Sequence, residues 1–231
     1  MITRFTFVLF VFFNFNNTFA KNDNDFFIPP CRNMDSAELS YKLPILENEF
    51  SKNKKLIDDY KLPTLIALSY FPELKDVHIS FVKRKINTTM QCRPRILSTF
   101  SKKNRRYVIL VNDNENFKGI LTKHVSFNSQ VGLIGHELAH IVDYENSRLK
   151  QIIGRAFDYT KDHRKKCFEH EIDSITIARG LGWQLYDFTY FSLNNPISTD
   201  EYKAFKRKIY MTPRRILEKI KSLEIYRNLI D

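Results

Sequence analysis

The stretch 135–140, with the sequence Gly-His-Glu-Leu-Ala-His, constrains this chain more than any other feature. It places His136 and His140 four residues apart within an apolar run. On an α-helix, such residues project about 40° apart and one turn along the axis, so both imidazoles can close on one metal ion. Neutral imidazole nitrogen binds zinc at about 2.0–2.1 Å. The spacing therefore predicts a helix that contributes His136 and His140 to a zinc site.

Glu137 lies between the two histidines in sequence but about 100° round the helix, which is wrong for a third ligand from the same helix. That position suits a hydrogen bond to a water at the metal, so Glu137 is the candidate general base. The competing interpretation is an ordinary buried helix whose histidines bond to backbone carbonyls. The flanks favour the metal site, because Phe127–Ser129 offers a hydrophobic staple and an N-cap and the next apolar residues repeat at helical spacing. These residues are Val131, Ile134, Leu138 and Val142.

A catalytic zinc needs a third protein ligand and an open position. A histidine six residues beyond His140 is excluded, because that position is Asn146. Glu169 borders the apolar stripe of a later predicted helix, and Asp173 lies one turn further on the same side. Glu169 would coordinate the metal, and Asp173 would hold a ligand histidine by its other ring nitrogen. The alternative third ligands are Glu145, His163, His170 and Glu171.

The motif HExxH, followed by Glu-x-x-x-Asp on a later helix, resembles the gluzincin branch of zincin metallopeptidases, and most of all its small members with a minimal domain. The resemblance implies that His136, His140 and Glu169 bind one zinc ion. It also implies that Glu137 is the general base and that Asp173 hydrogen-bonds a ligand histidine.

The resemblance covers about residues 131–180, and the order of strands and helix extends it back to about residue 77. It implies that the strand Tyr107–Val111 is the edge strand along which an extended peptide substrate lies. The sequence departs from the family pattern at Ile172, where a small residue often precedes the aspartate, and this keeps Glu171 as a rival ligand. The residue that stabilises the oxyanion stays open among Tyr186, Tyr190 and Tyr210.

Three short segments before the HELAH helix have the alternation or the β-branched composition of strands, namely Val77–Val82, Arg95–Phe100 and Tyr107–Val111. Helical signals dominate elsewhere. The predicted helices cover 36–60 with an interruption near residue 44, 62–70, 148–159, 164–179, 183–193, 200–210 and 213–228. We therefore expect an α+β, zincin-like fold: a small sheet of about three strands packed on the HExxH helix, followed by a helical C-terminal half.

The first twenty residues predict a secretory signal peptide. Arg4 precedes the short apolar run Phe5–Phe13, and small residues at 18 and 20 provide a cleavage site near Ala20. A nine-residue helix rises only about 14 Å, too little to cross a hydrocarbon core of about 30 Å, although a membrane anchor is the alternative. The predicted organisation is a signal peptide over 1–20, a linker or N-terminal arm over 21–34, and one metallopeptidase domain over 35–231. The mature protein is expected to be exported, either periplasmic or secreted.

The chain is basic, with 37 lysines and arginines against 26 acidic residues and a formal charge of +11. Its two basic runs, 102–106 and 163–166, are not interleaved with aromatic residues, so no specific nucleic-acid binding is expected. They indicate a solvated surface or weak attraction to anionic envelope surfaces. Cys31, Cys92 and Cys167 allow either one disulfide and a free thiol or three free thiols.

Together these features predict an exported zinc-dependent peptidase that hydrolyses a peptide or protein substrate, with one Zn²⁺ per chain and Glu137 as general base. The alternative is a non-catalytic, zinc-binding envelope protein with a structural or partner-binding role. Glu137 discriminates between them, because a structural zinc site needs no base and usually recruits a fourth protein ligand.

Overall fold

The computed structural model describes residues 26–229, and the strands within this range form one mixed sheet. The strands are β1 (Lys54–Lys55), β2 (His78–Lys83), β3 (Met90–Pro94) and β4 (Arg106–Val111). Their order is β1-β2-β4-β3, with β1, β2 and β4 parallel and β3 antiparallel to β4. The predicted α+β class is confirmed, with four strands rather than about three. The predicted signal peptide and its cleavage site lie outside the described residues.

Strands β2 and β4 agree with the sequence prediction to within one residue, but the predicted strand Arg95–Phe100 is wrong. The chain makes a 3₁₀ turn at Ile96–Ser98 instead. The hydroxyl groups of Ser98 and Thr99 donate to the carbonyls of the residues three positions earlier, at 2.7 and 2.6 Å. Such local bonds compete with strand pairing and favour a turn. The preceding segment, β3, pairs with β4 in its place.

The HELAH sequence lies in the middle of α4 (Phe127–Asn146), a helix of 20 residues that is buried along most of its length. The side chain of Ser126 caps the helix by accepting a hydrogen bond from the N–H of Ser129 at 3.2 Å, so the N-cap predicted within 127–129 is wrong. The predicted apolar stripe is fully buried, and its central residues Ile134 and Leu138 are 0% exposed. The helix packs against β3, which holds the sheet beside the histidines.

The remaining helices lie before and after α4 in the sequence. Before β2 lie α1 (Ser36–Leu39), α2 (Leu43–Phe50) and α3 (Lys61–Ser69). After α4 lie α5 (Leu149–Asp158), α6 (Asp162–Thr176), α7 (Gly182–Asn194), α8 (Asp200–Ile209) and α9 (Pro213–Ser222). Three predicted boundaries are corrected. Strand β1 lies inside the stretch 36–60 that was predicted helical, and α6 ends before residue 179 and passes into a π-helical turn at Ile177–Leu181. The last predicted helix stops at residue 222 and is followed by a 3₁₀ segment, Glu224–Leu229.

Two glycines let the helices around α4 approach one another. A Cβ on Gly132 of α4 would overlap the backbone carbonyl of Gln184 on α7, so the two helices are in direct backbone contact. Gly180 adopts φ 102° in the π-helical turn between α6 and α7, a conformation that favours glycine. The C-terminal helices can therefore pack closely on the helix that carries the histidines.

The described part of the predicted N-terminal arm packs on the domain. Ile28 and Met34 are each 5% exposed, and the N–H of Met34 donates to Oδ1 of Asn128 on α4 at 2.9 Å. These contacts attach residues that precede α1 to the core around α4.

The three cysteines are free thiols: Cys31 is half-buried, Cys92 is buried and Cys167 is exposed. Within residues 26–229, none of the helices combines the length and the apolar character needed to cross a membrane.

Candidate metal centre

Two buried histidines of α4 form the start of the candidate metal centre. His136 and His140 are 5% and 3% exposed, and their ring centroids lie 5.0 Å apart. The four-residue spacing places both rings on the face of α4 that packs against α6. The helix therefore presents two imidazoles to one buried space.

Helix α6 brings the carboxylate of Glu169 into the same space. Glu169 is 1% exposed, and its Oε2 lies 3.2 Å from Nε2 of His136 and 3.5 Å from Nε2 of His140. One ligand atom from each of the three residues lies within 4.8 Å of the others. The three predicted ligands thus come together and could hold a metal ion.

The two distances from Oε2 of Glu169 are close to those around a tetrahedrally coordinated ion, and the two histidine nitrogens lie within 4.8 Å of each other. With metal–ligand bonds of about 2.0–2.1 Å, neighbouring ligand atoms in a tetrahedron lie about 3.3 Å apart. Oε2 of Glu169 is buried and faces Nε2 of His136 and Nε2 of His140. Burying a carboxylate is costly unless it faces a cation, and a metal ion between the three side chains would supply one.

Asp173 lies one turn beyond Glu169 on α6 and contacts the ring nitrogen of His136 that does not face Glu169. Its Oδ1 is 2.8 Å from Nδ1 of His136, and its Oδ2 accepts a hydrogen bond from the N–H of Met211 at 3.0 Å. Because a carboxylate can only accept, Nδ1 of His136 carries a proton, and Nε2 is the ring nitrogen that faces Glu169. The role predicted for Asp173 is compatible with this geometry.

The other histidine is held by packing. Nδ1 of His140 is buried and has no hydrogen-bond partner in the described part of the chain. Its ring lies 5.3 Å from that of Phe168 and 6.2 Å from that of Tyr144, measured between centroids. Two aromatic neighbours therefore fix the orientation of His140.

Tyr159 completes the support of Glu169, and the sequence analysis did not identify it. Its hydroxyl donates to Oε1 of Glu169 at 2.7 Å, so one carboxylate oxygen is anchored while the other faces the histidines. Tyr159 follows α5 by one residue, in the connection to α6. The local sequence pattern does not indicate a role for Tyr159, because its contact with Glu169 depends on how α5 and α6 pack.

Glu137 is 4% exposed and is anchored to the sheet. Its Oε2 accepts a hydrogen bond from the N–H of Cys92 on β3 at 2.6 Å. Burial raises the pKa of Glu137, against the opposing effect of His136 and His140. Burial acts in the same direction on Glu169, but there the two histidines outweigh it and hold the pKa well below its usual range. Two carboxylates with pKa values shifted apart are the arrangement in which one serves as an ionised ligand and the other exchanges a proton.

His136 shows how strongly the acidic groups act in the absence of a metal. Burial lowers its pKa, but the hydrogen bonds and charges of Asp173 and Glu169 outweigh this and raise the pKa to about 10. A proton on His136 and a metal ion on its Nε2 exclude each other, so the same carboxylates attract either cation.

A small cavity of about 30 Å³ adjoins the centre, and it is lined by Glu137, His136 and residues of α7 and α8. It is large enough for one or two water molecules. Lys206 and Tyr210 line it from α8 and the residue after it. The ammonium group of Lys206 lies 3.6 Å from the ring centroid of Tyr210 and makes no ion pair within residues 26–229. The cavity therefore combines a carboxylate, a phenol and a buried amine.

The alternative ligands lie elsewhere. Glu171 is paired with Arg155, and Glu145 accepts a hydrogen bond from the hydroxyl of Tyr107. His163 is exposed, and Nδ1 of His170 lies 3.3 Å from the guanidinium of Arg215. Of the three tyrosines left open as oxyanion stabilisers, Tyr210 is at the cavity, whereas Tyr186 and Tyr190 stack on each other along α7.

Comparison of the chain with protein-family models, with curated proteins and with solved structures finds no match.

Proposed function

We propose that this chain is a zinc-dependent peptidase with a zincin-like domain, similar in its site to the gluzincin branch. The observation that carries the proposal is the buried convergence of His136, His140 and Glu169, with Glu137 beside them on the same helix. Two imidazoles and one carboxylate are the ligand set of several catalytic zinc sites, in which the fourth position stays open. A zinc ion held there would lower the pKa of a water molecule towards about 7 and polarise a carbonyl group.

The same ligand set also serves non-haem iron in oxygenases. Glu137 favours hydrolysis, because a buried carboxylate beside the ligands is the group that a hydrolytic site needs for proton transfer. A raised pKa suits Glu137 to act first as a base and then as an acid. Glu137 would take a proton from the attacking water and return it to the leaving amine. The hydrogen bond from Cys92 would keep the carboxylate in place throughout.

Lys206 and Tyr210 are the candidates to stabilise negative charge that develops on the substrate carbonyl oxygen. They line the cavity that Glu137 also lines, and Lys206 is only 9% exposed. Preorganised donors in a water-poor site contribute more than they would in water. Tyr210 is therefore favoured over Tyr186 and Tyr190 as the residue that stabilises the oxyanion. Lys206 is a second candidate for the same role.

The substrate would lie along β3. The edge strand implied by the family resemblance, Tyr107–Val111, is wrong, because β4 lies between β2 and β3. Strand β3 is the edge of the sheet next to α4, and the N–H of Cys92 points away from β4 towards Glu137. Apart from the N–H of Cys92, which already donates to Glu137, the outer main-chain groups of this edge strand could bind an extended peptide through hydrogen bonds. An exported protein or peptide is the proposed substrate class, since residues 1–20 predict a signal peptide.

The test is metal analysis of the purified chain together with digestion of an unbiased peptide library. We expect about one zinc per chain, cleavage of some library members, loss of cleavage with a chelator, and recovery when zinc is added back. A double variant, His136→Ala with His140→Ala, is the control and should neither retain zinc nor cleave. Iron in place of zinc would contradict the hydrolytic assignment. Stoichiometric zinc without cleavage would favour the non-catalytic, zinc-binding envelope protein.

A further inference from the structure

The loop that connects β3 to β4, residues 95–105, exposes three large apolar side chains. Ile96, Leu97 and Phe100 are 78%, 91% and 71% exposed. None of them packs against either hydrophobic core of the described chain. Isolated apolar residues are common on protein surfaces, but three within five positions of one loop form a patch that favours an interaction.

Hydrogen bonds to the rest of the domain fix the base of this loop. The guanidinium of Arg105 is buried and donates to the carbonyls of Tyr144 and Ser147 at the end of α4, at 2.6 and 3.0 Å. Oγ of Ser98 accepts a hydrogen bond from the N–H of Arg106 at 2.9 Å, which closes the base of the loop. The loop is therefore attached to the domain at its base while its apolar side chains face solvent.

The part of the sequence that carries these side chains is rich in basic residues. Residues 77–112 contain nine lysines and arginines and no aspartate or glutamate. Five of them lie close in sequence to the apolar side chains, are exposed, and make no ion pair with any residue in 26–229: Arg93, Arg95, Lys102, Lys103 and Arg106. Cationic side chains without acidic partners attract a negatively charged surface.

We propose that this loop docks the protein on an anionic lipid bilayer. Ile96, Leu97 and Phe100 would enter the region below the headgroups, and the five basic residues would lie at the level of the lipid phosphates. A nucleic acid would satisfy the charges and could stack on Phe100, but it would leave Ile96 and Leu97 in water. Two aliphatic side chains and one aromatic side chain among basic residues fit a membrane surface best.

The proposal does not depend on the proposed peptidase activity, but it has a consequence for it. Cys92 on β3 contacts Glu137 and lies four residues before Ile96, which begins the 3₁₀ turn after the strand. Since a fully extended strand rises about 3.3 Å per residue, the two residues are at most about 13 Å apart. Docking would hold the candidate centre close to the bilayer, where substrates emerging from or lying on a membrane are concentrated.

The experiment places a tryptophan at the tip of the loop. The variant Leu97→Trp is mixed with vesicles of phosphatidylcholine alone or of phosphatidylcholine with phosphatidylglycerol. Its emission should shift to the blue only with the anionic vesicles. Tyr41→Trp is the matched control, because Tyr41 is 72% exposed but lies between α1 and α2, and its emission should not shift. The native Trp183 is buried and contributes the same background to both variants.

Sedimentation of the full chain with the same vesicles then measures how much the apolar and the basic side chains of the loop each contribute to binding. Replacing Ile96, Leu97 and Phe100 by serine should reduce partitioning at least about tenfold. Replacing Lys102, Lys103 and Arg106 by glutamine should reduce it by about fivefold for each charge removed. A control that neutralises Lys55, Lys118 and Lys221, which are exposed and make no ion pair in the described part of the chain, should reduce partitioning much less. All variants share the apolar run at residues 5–13, so differences among them report on the loop.

Each alternative result would overturn the proposal. A serine variant that sediments as well as the wild type, with the same circular dichroism, would show that the apolar side chains do not insert. Equal losses in the loop and control charge variants would reduce the binding to general electrostatics. Binding of the wild type to duplex DNA but not to anionic vesicles would assign the basic surface to nucleic acid instead.

Discussion

Oδ1 of Asp173 lies 2.8 Å from Nδ1 of His136, and this pair joins α6 to α4 directly behind the candidate metal centre. The second oxygen of the same carboxylate accepts a hydrogen bond from the N–H of Met211. Asp173 thus receives two donors, and both of its oxygens are used. The contact ties the orientation of one ligand histidine to the packing of the C-terminal helices.

Asp173→Asn should therefore weaken zinc binding about 10–100-fold. An asparagine of the same shape has only one oxygen, so its amide NH₂ would face either Nδ1–H of His136 or the N–H of Met211. Competition with a chelator of known zinc affinity measures the change. Unaltered affinity in a folded variant would show that the contact with His136 does not support the metal.

Glu169→Gln should reduce zinc affinity further than Asp173→Asn does, because it removes a charged ligand while it preserves an acceptor for Tyr159. Glu171→Gln is the matched control, since this neighbouring carboxylate is 57% exposed and pairs with Arg155. The same chelator competition applies to both variants. If Glu171→Gln had the larger effect, the third ligand would be misassigned.

Zinc binding at pH 7 should release about one proton from His136. In the metal-free chain its raised pKa of about 10 keeps this histidine protonated, and the bound metal displaces that proton. Zinc affinity should consequently rise by about tenfold per pH unit between pH 6.5 and 8. The proton itself stabilises the metal-free fold fully below about pH 6.5 and loses this effect as the pH rises through about 10. Calorimetry in buffers of different ionisation enthalpy counts the protons, and a count of zero would contradict the assignment.

The sequence predicted the parts of the site that depend on local periodicity. Helical spacing alone placed His136 and His140 on one face, and the stripe on α6 indicated Glu169 and Asp173, which the fold brings beside these histidines. Tyr159, Lys206 and Tyr210 were not assigned, because their positions depend on how helices distant in sequence pack together. The hydrogen bond from Cys92 to Glu137 depends on sheet order, and the wrong strand at 95–100 concealed that β3 is the edge. The apolar residues of that segment looked like a strand because alternation does not distinguish a buried face from an exposed patch.

Gly132→Ala should destabilise the fold by about 1–3 kcal/mol, because the added Cβ would overlap the backbone of Gln184 and push α7 away from α4. Gly154→Ala is the matched control. A Cβ at Gly154 in α5 meets no atom within 4 Å, so alanine should raise the free energy of unfolding by about 0.5–1 kcal/mol. Denaturant unfolding of both variants measures the difference. A neutral effect at Gly132 would mean that the two helices are further apart than described.

The most direct test of the central claim is the rate of peptide cleavage by Glu137→Gln and by the wild type at equal zinc content. Glutamine keeps the size of the side chain, but it cannot take a proton from water. The variant should therefore bind zinc and fold like the wild type while it cleaves a peptide from the library about 10²–10⁴-fold more slowly. Equal rates for the two proteins would contradict the role assigned to Glu137 and with it the proposed peptidase mechanism.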